Sequence, residues 1–191
     1  MGRKKYFLTV LLIVVIFCFL INCSKQEEKS QTVKPTPAEG VQQEAPDAPE
    51  VDGTFTMNGT ATSFKFVYVW EEKSLLDSTK QNLHFLFTDN AVPEGTDFKY
   101  GLTSLGRQGK IHALEATYSP DSENIVGGKI FHEGTGDMNI SFSQGNLEGQ
   151  IKILEDGTAE GEIFTEEPID SFDNIWGVRI NFKTSLPAKE E

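Results

Sequence analysis

Gly53 to Trp70 reads GTFTMNGTATSFKFVYVW, and the dipeptide near its start constrains the fold more than any other feature of the chain. Asn58-Gly59 is a strong two-residue hairpin signal, because a type I′ turn needs positive φ at both central residues. The flanking residues alternate apolar and polar, as strands with one buried face do. Pairing Met57 with Thr60 sets Phe55 opposite Thr62. The alternation then predicts Phe64, Phe66, Tyr68 and Trp70 on one face and Ser63, Lys65 and Glu71 on the other, with Val67 and Val69 interrupting. Phe55 and Met57 share the aromatic face, so the row is expected to be core. Tyr68 and Trp70 are the candidates to reach a pocket mouth and touch a ligand, since a ring with a polar tip tolerates a half-wet position.

The same period runs through the rest of the chain. Leu83, Phe85 and Phe87 share a face, as do Met138, Ile140 and Phe142, and Trp176, Val178, Ile180 and Phe182, with Arg179 and Lys183 opposite the last set. Residues 112–118 and 125–132 are expected strands with a less regular pattern. Around Asp156-Gly157 a two-residue loop would place Ile151 and Ile153 opposite glutamates. A three-residue loop, Glu155-Asp156-Gly157, instead pairs Ile153 with Ala159 and Ile151 with Gly161, and register follows the buried face. Gly128, Gly149 and Gly161 each precede an x-Ile, read as glycine at strand bends or close sheet contacts. No segment sustains a helical period, and 96–107 is the one place for a short helix. The expected fold is all-β: an antiparallel sandwich or small closed barrel of about eight or nine strands over residues 51–187, with 188–191 a tail. That span holds 11 of the 14 Phe, enough to fill one core.

The N-terminal part has another composition. Arg3, Lys4 and Lys5 precede an apolar run from Tyr6 to Ile21 broken only by Thr9, and polar residues follow Cys23. The run is short for a spanning helix and long for the core of an export signal, so an uncleaved anchor is the alternative reading. Leu20-Ile21-Asn22-Cys23 resembles the lipobox of bacterial lipoproteins, with Asn22 larger than the usual small residue. The resemblance implies a signal peptide over 1–22, lipid on Cys23 and membrane anchoring without a spanning helix, since two or more acyl chains hold stably. Ser24, rather than Asp, after the Cys implies the outer membrane. Cys18 lies in the part that would be removed, which leaves no partner for a disulfide and no Cys metal site. Residues 23–50 then comprise the lipidated Cys and a tether rich in Glu, Gln and Pro, including Pro35, Pro37, Pro46 and Pro49, and poor in the apolar bulk that ordering needs.

Candidate chemistry is sparse. His84, His112 and His132 fall on different expected strands with no paired spacing, so no local pattern points to zinc, and no metal or other cofactor is expected. The acidic stretches 120–124 and 166–174 lack the order of a calcium loop and read as turns. No catalytic elbow, phosphate loop or dinucleotide fingerprint is present, so no catalytic residue is assigned and the chain is not expected to be an enzyme. A net charge of −12 without a basic patch disfavours nucleic acid. The expectation is a lipid-anchored envelope protein presenting a β domain to a protein, glycan or small apolar ligand. The alternatives are an envelope assembly or maintenance factor and, third, a metal-binding or hydrolytic enzyme.

Overall fold

The computed structural model describes residues 50–75, 77–136 and 139–188. The signal peptide, Cys23 and the expected tether up to residue 49 lie outside the described residues, as does Met138, whereas Glu50, expected at the end of the tether, is the first residue of a strand. All described residues belong to one of the chain's two compact units, Glu44–Glu191.

Two antiparallel sheets pack face to face as a sandwich, and no barrel closes among the described residues. The strands are β1 (Glu50–Met57), β2 (Thr60–Phe64), β3 (Phe66–Lys73), β4 (Gln81–Thr88), β5 (Ala113–Ser119), β6 (Asn124–Phe131), β7 (Ile140–Ser143), β8 (Glu148–Ile153), β9 (Thr158–Phe164), β10 (Ile169–Ser171) and β11 (Asn174–Ser185). Among the described residues there is one α-helix, α1 (Gly101–Arg107), which lies within the span expected for it. The first sheet runs β2-β1-β11-β9-β8, with β10 beside β11, and the second runs β3-β4-β5-β6-β7. The eleven strands among the described residues exceed the expected eight or nine because pieces as short as β10 leave too few residues to show a period. Among the described residues no helix is long and apolar enough to cross a membrane.

Both expected hairpins form in the expected register. Met57 faces Thr60 and Phe55 faces Thr62, with φ of 51° at Asn58 and 82° at Gly59. Ile153 faces Ala159 and Ile151 faces Gly161. Leu154 and Thr158 close the three-residue loop, and Gly157 takes the positive φ of 81°.

The expected aromatic row does not share one face. β2 belongs to the first sheet and β3 to the second, and the chain passes between them at Lys65, whose N–H donates to Thr88 O at 2.9 Å. The crossing inverts the alternation: Phe64 and Val67 are core, whereas Phe66, Tyr68 and Trp70 turn to the outer face of the second sheet. The main core joins Phe55, Phe64 and Trp176 of the first sheet to Phe85, Phe87 and Leu114 of the second. A smaller core on that outer face packs Leu86, Ala113 and Phe131 under Leu102 and Ile111, with Tyr68, Trp70 and Phe98 at its edge.

Trp176 packs against Phe142 with the rings tilted by 33° and centroids 5.3 Å apart, and its Nε1 is buried with no hydrogen-bond partner among the described residues. An unpaired buried donor costs about 1–3 kcal/mol. Trp176→Phe removes it along with some ring volume, so equilibrium urea unfolding should show a net loss below about 1.5 kcal/mol. Trp176→Ala, which only opens a cavity, should lose about 3–5 kcal/mol.

Candidate functional site

The outer face of the second sheet is divided. Segment 89–112 covers the half that carries the small core. The uncovered half forms a cleft of about 560 Å³ whose lining includes Glu72, Lys80, His84, Glu115, Thr117 and Lys129. Strand register assembles it. Tyr68, Leu86, Glu115 and Lys129 form one row across β3 to β6, and Trp70, His84, Thr117 and Gly127 form the next.

Glu115 is the unusual residue in this cleft, an acid only 3 % exposed. A buried carboxylate needs partners to replace water. His84 Nδ1 donates to its Oε1 at 2.8 Å, and Lys129 Nζ lies 3.7 Å from its Oε2. Glu72 approaches the other ring nitrogen of His84 at 3.8 Å. Trp70 stacks on the His84 ring at 5.1 Å and 15°, so it fixes the imidazole plane. Neither Trp70 nor Tyr68 lines the cleft itself. The Tyr68 hydroxyl instead accepts the Val92 N–H at 3.0 Å, and its ring meets Phe98 edge-on. The two aromatics singled out in the sequence thus brace the cleft and the small core, and the sequence reading passed over Glu115.

No family model matches the chain, and no curated protein or solved structure matches it either.

A second polar group sits at the end of the sandwich, just past β4, β5 and β6. The three histidines do not converge: His84 belongs to the cleft, while the His112 and His132 rings lie side by side at a tilt of 32°, centroids 4.4 Å apart. Asp89 Oδ2 accepts from His112 Nδ1 at 2.7 Å, and Asp89 Oδ1 takes the His112 backbone N–H at 2.8 Å. The other ring nitrogen, Nε2, lies 2.7 Å from Glu133 Oε2. His132 Nδ1 accepts the Gly134 N–H at 2.8 Å. Burial holds the His132 pKa below the usual histidine range, with His112 adding to the effect and Glu133 opposing it. Burial pushes the Glu133 carboxyl up, but its own backbone N–H and the His112 ring outweigh that and leave it below the usual carboxylate range.

Proposed function

We propose that this protein is a lipid-anchored envelope binding module that takes a small hydroxyl-rich ligand, a saccharide, in the cleft over Glu115. The observation that carries the reading is the buried Glu115 carboxylate, held ready by His84 at the floor of an open cleft. The cleft volume suits a small molecule. Its acids (Glu72, Asp77, Glu115) and lysines (Lys73, Lys80, Lys129) balance, so it selects for directional hydrogen bonds rather than for net charge. A neutral polyol offers both donors and acceptors to such a lining. The charged and hydroxyl side chains in the cleft, among them Glu115, Lys129 and Thr117, favour the glycan among the ligand classes considered from the sequence, and the apolar area between them suits the carbon face of a sugar ring. Anchoring rests on the lipobox resemblance at Cys23, with the membrane as the partner that the lipid engages.

Saturation-transfer NMR with a panel of neutral disaccharides tests the ligand. Glu115→Gln keeps the shape and removes the charge, so it should weaken binding at least about tenfold, the loss expected for a hydrogen bond to a charged group. Equal signals from both chains, or none from either, would remove the saccharide reading. Anchoring is tested by fractionation. Cys23→Ala should move the chain out of the lipid-modified membrane fraction, and retention there would count against the lipid. Protease treatment of intact and permeabilised cells then reports which side of the membrane the domain faces.

A further inference from the structure

The rim cluster is separate from the cleft and stands independently of the saccharide reading. Asp89 follows β4, His112 precedes β5 and His132 follows β6, so together they continue by one step the rung Thr88–Ala113–Phe131. That step turns their side chains toward the inner side at the open end of the sandwich, where the His132 ring lies 6.0 Å from that of Phe55. Glu133, next in the chain, brings a carboxylate over the pair. One ligand atom from each of His112, His132 and Glu133 lies within 4.8 Å of the others.

We propose that His112, His132 and Glu133 bind one divalent transition-metal ion of zinc's class, with Asp89 as the positioning residue. The hydrogen bonds around His112 point to this. Asp89 grips both the backbone N–H and Nδ1 of His112. A ligating histidine ordinarily donates its second ring N–H to a carboxylate in this way, which fixes the tautomer and aims the other nitrogen at the metal. Here that other nitrogen faces a carboxylate oxygen at 2.7 Å. An ion placed between them would take the Nε2 lone pair and the Glu133 oxygen as two of its ligands, with Glu133, on the exposed side, drawing back to make room. His132 Nδ1 already presents a lone pair, 3.7 Å from the same Glu133 oxygen, and the ion competes for it with the Gly134 N–H.

The donor set, two imidazoles and one carboxylate, suits a borderline ion such as zinc. Calcium and magnesium, which want shells of oxygen, do not fit it. Glu133 is half exposed, which leaves a fourth tetrahedral position open to water.

The test is a zinc titration of the full chain in detergent micelles, followed by calorimetry and by ¹⁵N spectra of the imidazole rings. The chain has three histidines, so the spectrum resolves the site directly. The expected result is one ion per chain, with the His112 and His132 rings perturbed and the His84 ring unmoved. Asp89→Asn should keep the native circular dichroism and bind about 10–100-fold more weakly, the range seen when such an outer partner is lost. His112→Ala should bind more weakly still. If that variant fails to fold, the wild-type ring spectrum together with Asp89→Asn still decides the matter. No saturation by about 0.1 mM zinc, perturbation of His84 equal to that of His112, or wild-type affinity in Asp89→Asn would each overturn the proposal.

Discussion

Phe85→Ala is expected to remove about 3–5 kcal/mol of folding free energy, measured as a shift of the urea midpoint at unchanged slope. Phe85 is fully buried on β4, and its ring lies 5.2 Å from Phe182 of the other sheet and 6.5 Å from Tyr118 of its own. Phe182 also meets Phe87 at 5.2 Å, so one ring of the first sheet is gripped by two of the second. Truncation at Phe85 opens a cavity where the sheets interlock. The strands around it are fixed by ladders on both sides and cannot collapse inward. Against a typical domain stability of about 5–15 kcal/mol, a loss of this size leaves a marginal protein. A change below about 1 kcal/mol would mean that the two sheets do not pack through these rings.

Gly128→Ala should be comparably severe, at about 3 kcal/mol or more, by overpacking rather than by a cavity. A Cβ on Gly128 would stand 2.1 Å from Glu115 O and 2.5 Å from the Phe142 ring. The ring can swing aside, but the carbonyl belongs to the backbone of β5 and moves only if the β5–β6 pairing opens. Because the displaced residue is Glu115, the same substitution should also weaken ligand binding in the cleft. Gly59→Ala is a useful control: a Cβ there meets nothing within 4 Å, although the positive φ still carries some strain. Chemical denaturation of the two variants side by side separates crowding from backbone strain. Equal losses would show that crowding at Gly128 is not the cause.

Local signals in the sequence were the legible ones. Asn58-Gly59 and Glu155-Asp156-Gly157 fixed two registers, because turn chemistry and the buried face agree within a few residues. The inside face of β11 followed from simple alternation, since no break interrupts Asn174–Ser185. The glycines before x-Ile were rightly read as close contacts: a Cβ on Gly161 would meet Gln150 O at 2.4 Å, and one on Gly149 would meet Ile125 Cδ1 at 2.6 Å. The face of residues 66–70 was misread because the crossing at Lys65 uses neither glycine nor proline, so nothing local announces that the parity changes. The two polar sites were illegible for a deeper reason. Glu115 looks like a solvated strand residue until β4 and β6 are laid beside it. Asp89, His112 and His132 meet only through the registers of two ladders taken together. The available clue was their common position at the ends of alternating runs, and it becomes informative only once strand order is known.

The route by which the chain enters the domain has a mechanical consequence. Residues N-terminal to Glu50 feed directly into β1, an interior strand held by eight rungs to β11 on one side and five to β2 on the other. A pull directed along the strand would load the hydrogen bonds on both flanks in shear, so that they share the force instead of opening one at a time like a zip. The cleft lies on the other sheet, so tension between a held N-terminus and a captured ligand would cross the aromatic core between Phe182 and Phe85.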